Sequence, residues 1–195
     1  MADLILASTS LYRAQLLERP RLPFQAVRPD IDESSLPDET PAALTERLAE
    51  HKARAVAPRF DNALIIGSDQ VAVLGGDVLG KPGNRDAARG QLRRLSGRSV
   101  EFLTSLCVLE TATGSHMVEH VVTPVLLRNL DVAEIDAYVD VEKPFDCAGS
   151  FKSEGLGIAL FESIGGDDPN ALIGLPLIRL CHMLRYFGLD PLRAR

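Results

Sequence analysis

A chain of 195 residues, 46% apolar and 25% charged, has the length of one ordinary domain or two small lobes and enough apolar material for a core without disulfide staples. Its 27 acidic and 21 basic side chains leave a net charge of -6, the wrong sign for gripping the phosphate backbone of a nucleic acid polymer. The cysteines Cys107, Cys147 and Cys181 are odd in number and far apart. They outline neither a disulfide framework nor a zinc site, and read as buried thiols in a reducing compartment. Met1-Ala2-Asp3-Leu4 carries an acid where a secretion signal needs bases, and no apolar run reaches membrane-spanning length. A cytoplasmic protein that avoids membranes is expected.

Leu4-Ile5-Leu6-Ala7 predicts a strand, Ser8-Thr9-Ser10 a polar turn, and Leu11, Ala14, Leu16 and Leu17 the buried face of a helix. Phe24 to Val27 reads as a second strand, followed by a carboxylate-rich loop from Pro29 to Pro37. Thr40 as N-cap and Pro41 at the first helical position open a helix over Ala42 to Ala57. Ala63 to Gly67 is a continuous apolar strand ending at Ser68-Asp69-Gln70, and Val71 to Leu79 reads as a hairpin turning at Gly75-Gly76. Asn84 caps a helix through Leu95, closed by Gly97. Val100 to Leu109 and Met117 to Leu130 alternate as two long strands joined at Ala112-Thr113-Gly114. Asp131 and Glu134 form a capping box for a helix to Val141, which Pro144 stops. Gly157 to Phe161 reads as a strand, and Pro176 to Phe187 as the last helix. The mixture predicts an α/β fold, with residues 1–195 read as a single domain and any parting of two lobes near Lys81.

Three constellations carry chemistry. Ser8, Thr9 and Ser10 at a helix start, with Arg13 one turn on, combine hydroxyls, amides and a guanidinium that suit an anion such as phosphate, or equally an ordinary cap beside a surface arginine. Asp30, Asp32 and Glu33 share one loop, and Asp69 stands just beyond an apolar strand. Such carboxylates can hold a hard divalent cation, and one left free can take a proton from water; solvated loop acids and a turn-forming Asp69 are the plainer readings. Of the 21 basic residues only Lys52, Lys81, Lys143 and Lys152 are lysines, and Lys81 sits in the stiff Gly80-Lys81-Pro82-Gly83 loop, where an ammonium suits phosphate. No Walker loop, dinucleotide fingerprint, Gly-x-Ser-x-Gly elbow or His-Glu-x-x-His is present, and the four histidines form no cluster.

Leu6-Ala7-Ser8-Thr9-Ser10 with Arg13, Ile31-Asp32-Glu33, His51-Lys52-Ala53, Gly67-Ser68-Asp69-Gln70, Gly80-Lys81-Pro82, Leu95-Ser96-Gly97 with Thr104, Ala148-Gly149 and Gly174-Leu175-Pro176 follow one another in order. In that series the chain resembles the Maf family of nucleotide pyrophosphatases from about Leu4 to Leu189. The Gly67–Gln70 and Cys147–Gly155 segments resemble the branch acting on 7-methyl-GTP rather than the dTTP and UTP branch, where a histidine stands in place of Val100. The resemblance implies an α/β fold with an elongated mixed β-sheet flanked by helices, two lobes and a nucleotide cleft between them, as in Maf and ITPase-like proteins. It implies a divalent metal, Mg or Mn, and a homodimer whose partner otherwise is a small-molecule nucleotide. Asp69 matches the family's catalytic base, with Glu33 and Asp69 on the metal. Ser8, Arg13, Lys52 and Lys81 match the phosphate side, and Tyr12, Gln70 and Glu154 match base selection. Leu11 replaces a usual proline and Ala14 a second arginine, which bears on affinity more than on reaction type. A non-hydrolysing nucleotide-binding regulator linked to cell division is the alternative the same contacts allow.

Overall fold

The computed structural model describes residues 2–194. Among them, in chain order, lie β1 (Asp3–Ala7), α1 (Leu11–Leu17), β2 (Gln25–Val27), α2 (Pro41–Val56), β3 (Ala63–Leu74), β4 (Asp77–Leu79), α3 (Arg85–Leu95), β5 (Ser99–Glu110), β6 (His116–Leu127), α4 (Val132–Glu142), β7 (Phe161–Ile164) and α5 (Leu177–Tyr186). The seven strands form one mixed sheet in the order β2-β1-β3-β5-β6-β7, with β4 paired to β3. β1 runs parallel to both β2 and β3, whereas β4 and β7 are antiparallel to β3 and β6. The expected α/β class is therefore the observed one. Among the described residues, no helix is long and apolar enough to cross a membrane.

The predicted caps are the ones that start the helices. Thr40 Oγ1 accepts from Ala43 N–H at 3.2 Å, Asn84 Oδ1 from Ala87 N–H at 2.9 Å, and Asp131 and Glu134 satisfy each other's backbone in a capping box. Each of these side chains meets an amide that the helix cannot satisfy itself. At α4 the chain leaves the helix through Lys143 in the left-handed region, φ 47, directly before Pro144.

Two segments differ from their sequence-based reading. β3 does not stop at Gly67 but runs unbroken to Leu74, because its polar residues find partners inside the protein: Ser68 meets backbone carbonyls and Asp69 meets Lys52. Leu156–Leu160 is a 3₁₀ turn rather than a strand, and β7 begins only at Phe161. There Gly157 lies against the Lys152 carbonyl, where a Cβ would come within 2.2 Å of the oxygen, and Leu156 and Ile158 face outward despite their apolar alternation.

The chain forms two compact units. The first takes in the chain up to Asp69, Thr104–Val121 and the chain from Asp168 onward. Strand alternation sorts its core into two layers: Leu4, Leu6, Leu64, Ile66, Leu106 and Val108 pack with α1 and α5, while Ile5, Ala7, Ala63, Ile65, Cys107 and Leu109 pack with α2. Leucine and isoleucine side chains buried this completely each contribute about 1.5–3 kcal/mol. The second unit, Gln70–Leu103 and Val122–Asp167, packs α3 against α4, with Arg85 bidentate on Asp140 at 2.6 and 2.9 Å. Its core holds Phe151 between Phe102 and Phe161, with ring centroids 5.2 and 4.7 Å away. The first passage between units falls at Asp69/Gln70, inside β3, and not near Lys81. A crossing in mid-strand carries no turn residues that a sequence would register.

Gly67 sets how closely α2 lies on β3. A Cβ built there would stand 2.0 Å from the Ala49 carbonyl oxygen and 3.0 Å from Ala53 N, both on the helix backbone. Gly67→Ala is expected to push α2 outward and to lower stability by about 1–3 kcal/mol in urea denaturation. Gly90→Ala, in mid-α3 with open space at its Cβ, should instead gain about 0.5–1 kcal/mol. Equal effects at the two positions would show that the close approach at Gly67 is not what matters.

Candidate functional site

Parallel pairing sets the C-terminal end of β1 beside the first half of β3, with Leu6 opposite Ile66. Polar residues just beyond this paired stretch, Ser8 after β1 and Ser68-Asp69 in mid-β3, are thereby brought near one another. α2 crosses this region over Gly67 and carries Lys52 to it.

Lys52 Nζ donates to Asp69 Oδ1 at 2.7 Å and lies 2.9 Å from Glu33 Oε1. Lys52 is 5% and Asp69 7% exposed, while the Glu33 side chain is 58% exposed. An ammonium and a carboxylate withdrawn from water this far persist only because each compensates the other. Arg13, half-buried on α1, donates through Nε to the Gly174 carbonyl at 2.9 Å. Burial lowers its pKa from the usual guanidinium value, and the charges of Asp69 and Glu33 push back in the opposite direction. Two cations and two carboxylates thus gather around Asp69 in mid-β3.

The backbone around this cluster is held by side chains. Ser68 Oγ lies 2.9 Å from the carbonyl oxygens of both Ser105 and Gly174 and donates its one proton to either. Gly174 adopts a left-handed conformation, φ 110, that presents its carbonyl to Ser68 and Arg13 together. Asp168, almost fully buried, accepts from Asn170 N–H at 3.2 Å, Ile178 N–H at 2.7 Å and Arg179 N–H at 3.2 Å. It thereby caps α5, whose own N-cap residue is Pro176 and gives no side-chain bond. α2 is tied to β5 by a chain of hydroxyls. Thr45 Oγ1 donates to the Ala42 carbonyl at 2.9 Å and lies 2.8 Å from Ser105 Oγ, which in turn lies 3.0 Å from His120 Nδ1.

Ser8 is buried beside this cluster, and its Oγ accepts from Ser10 N–H at 3.1 Å. The cap of α1 is Ser10, whose Oγ accepts from Arg13 N–H at 3.4 Å. Tyr12 stands half-buried on the same helix. In the acidic loop, Asp30 pairs with Arg28 at 3.0 Å on the surface, and Asp32 Oδ1 accepts from Ser34 N–H and Oγ–H at 2.9 and 2.6 Å. The Ser34 hydroxyl and amide hold the Asp32 carboxyl below its ordinary range. Glu33 alone of the loop acids reaches Lys52. Arg47, also on α2, is bidentate on Glu39 at 2.6 and 2.8 Å and donates to the Ser34 carbonyl at 2.9 Å. The Arg47 fork, with the Leu36 amide, pulls the Glu39 carboxyl down to about 2.

Gln70, Lys81 and Glu154 belong to the second unit. Gln70 is the half-buried residue following Asp69 on β3. Lys81 is exposed, and the loop bearing it is fixed by Gln91, whose Nε2 donates to the Gly80 carbonyl at 2.9 Å and whose Oε1 accepts from Ser150 Oγ at 2.5 Å. Glu154 is exposed and accepts from Ser153 Oγ at 3.3 Å. Lys152 directs its ammonium to the Glu142 carbonyl at 2.9 Å. Burial keeps the Cys107 and Cys147 thiols up at about 12 and raises Cys181 as well, so none is a nucleophile at neutral pH. Only Cys107 is fully buried.

Ser8, Arg13, Glu33, Lys52 and Asp69, the residues expected from the sequence, all belong to the first unit, while their supports carry no such signal. Arg47, Glu39, Thr45, Ser105 and Asp168 act across 8 or more residues of sequence, and no local spacing announces them. Ser68 was within sight, since a serine in a buried strand needs a partner.

The Maf-like protein family matches residues 3–187. A 7-methyl-GTP pyrophosphatase of Chromohalobacter salexigens is 54% identical over 98% of this chain and 100% of its own length. Proteins of the same name from Aromatoleum aromaticum and Pseudoalteromonas translucida are 56% and 54% identical, over 96% and 98% of this chain and 97% and 95% of theirs. Among solved structures, the Staphylococcus aureus Ham1 protein aligns with a TM-score of 0.48 and 15% identity, over 78% of this chain and 88% of that one. Matched along nearly its whole length in both ways, the chain belongs to the Maf-like protein family.

Proposed function

We propose that this chain is a nucleotide pyrophosphatase that hydrolyses 7-methyl-GTP to 7-methyl-GMP and pyrophosphate in the cytoplasm. The observation that carries the reading is the buried Lys52–Asp69 pair with Glu33 on the same ammonium, in a chain about 55% identical to proteins of that activity. Water attacks the α-phosphorus, and pyrophosphate leaves as the bond to the β-phosphate oxygen breaks. Asp69 orients the water and takes its proton. Arg13 and Lys52 offset the charge of the polyphosphate, and that binding aligns the α-phosphorus for attack. Ser8 donates to a phosphate oxygen, and Lys81 adds a further ammonium by its motif position.

A divalent cation, Mg or Mn, fits the donor chemistry. Glu33 Oε1 and Asp69 Oδ1 already converge on one cation, the Lys52 ammonium, at 2.9 and 2.7 Å. Both are hard carboxylate oxygens, and one or two carboxylates with substrate phosphates is a usual Mg set. Among the described residues no three His, Cys, Asp or Glu side chains cluster as a metal site, so phosphate oxygens and water would complete the coordination. Such an ion supplies charge neutralisation at the transferring phosphoryl group. A carboxylate that binds metal is a weaker base, so Asp69's part in orienting water outweighs its basicity.

Methylation at the 7-position makes guanine cationic. Tyr12 stacks on that ring, worth roughly 0.5–2 kcal/mol by burial, Glu154 accepts from the guanine edge while offsetting its charge, and Gln70 adds a polar contact to the base. Neutral pyrimidines gain neither electrostatic benefit.

Asp69→Asn is expected to retain nucleotide binding and lose about 10²–10⁴-fold in pyrophosphate release. Parent-level turnover in that variant would end the assignment. Chelation with EDTA should abolish release and added Mg or Mn restore it, whereas full activity in excess EDTA would remove the metal from the reading. With Glu154→Ala, the preference for 7-methyl-GTP over GTP should shrink by about tenfold or more in kcat/KM. An unaltered ranking across 7-methyl-GTP, GTP, dTTP and UTP would take Glu154 out of base selection.

A further inference from the structure

Residues 28–40, between β2 and α2, hold no helix or strand. Connections of that length inside a compact domain are uncommon unless they are anchored for a purpose. Glu33 sits within this loop with its side chain more than half exposed, and still stands 2.9 Å from Lys52. An ion pair with one partner so exposed contributes too little to order a loop by itself.

The order comes from α2. Arg47 and its partner Glu39 have side chains only 18% and 7% exposed, and the Arg47 fork matches both Glu39 oxygens. Arg47 Nη2 also donates to the carbonyl of Ser34, the residue immediately after Glu33. On the other side of Glu33, Asp32 turns back on Ser34 through two hydrogen bonds. Glu39 Oε2 accepts from Leu36 N–H at 3.0 Å, and Glu39 N–H donates to the Leu36 carbonyl at 3.2 Å. Ser34, the residue after Glu33, is thus held by the Arg47 guanidinium at its carbonyl and by the Asp32 carboxylate at its amide and hydroxyl. Arg47 and Lys52 lie five residues apart on the same helix, about 7.5 Å along its axis, so one helix carries both the anchor of the loop and the ammonium that Glu33 meets.

We propose that Arg47 is a positioning residue for the reaction: by gripping Glu39 and the Ser34 carbonyl, it holds the Glu33 carboxylate beside Lys52. This rests on the assignment of Glu33 to the phosphate and metal side. A lysine at position 47 keeps the charge but cannot reproduce the fork. The test compares the full-length parent, Glu33→Gln, Arg47→Lys, Glu39→Gln and the double variant Arg47→Lys/Glu33→Gln in 7-methyl-GTP hydrolysis, with amide hydrogen exchange followed over residues 32–39.

Arg47→Lys and Glu39→Gln are each expected to lower kcat/KM about tenfold or more, dividing the loss between kcat and KM as Glu33→Gln does. Exchange at the Leu36 amide, and across the loop, should quicken about tenfold while β1 and β3 stay protected. The double variant should be no slower than Glu33→Gln alone, since the clamp has nothing left to position. Multiplicative losses in the double variant, or Arg47→Lys at parent rates of turnover and exchange, overturn the proposal while Glu33 keeps its place. Parent-level turnover in Glu33→Gln overturns both, and locates the error in the assignment of Glu33 itself.

Discussion

The ammonium of Lys52 and the carboxylate of Asp69, both nearly closed off from water, cannot be separated without leaving one buried charge alone. Breaking such a pair generally costs about 3–5 kcal/mol, far more than a surface pair returns. That constraint locks the register of α2 against β3. Gly67 admits the helix backbone to the strand, and the Thr45–Ser105–His120 hydroxyl chain holds the helix to β5. Each contact would be ordinary alone. Together they set Lys52 against the one carboxylate of β3.

Around the pair, the polar groups of the first unit are satisfied by partners from distant segments. The Gly174 carbonyl meets Arg13 and Ser68, and the Asp168 carboxylate caps a helix it is not part of. Donors and acceptors fixed in this way need little rearrangement to meet a charged ligand, which is the physical content of preorganisation. The more exposed Glu33 sits differently. It stands on a loop, and its position depends on the Arg47–Glu39 fork rather than on the core.

Local signals in the chain were readable wherever a residue acts on its own neighbours. The caps at Thr40, Asn84 and Asp131 satisfy amides three residues on, and the alternation of Leu4 to Ala7 sorts side chains to the two faces of a strand. Where neighbours mislead, so did the pattern. Leu156, Ile158 and Leu160 alternate like a strand, yet Gly157 is pressed on the Lys152 carbonyl and the segment turns. The polar run Ser68-Asp69-Gln70 looked like a strand end, yet distant partners let β3 continue through it.

The order of short motifs, and with it the family and the residue types available for phosphate chemistry, is a property of the sequence alone, since motif spacing survives without knowledge of contacts. Which carboxylate meets the ammonium was a decision of the tertiary structure. Asp30, Asp32 and Glu33 are near-equivalent as letters, but one pairs with Arg28, one closes a turn on Ser34, and only Glu33 faces Lys52. Hydrogen bonds and ion pairs form over about 3 Å between atoms, whatever the separation along the chain. Folding alone brings Arg47 to Glu39, and Lys52 to Asp69.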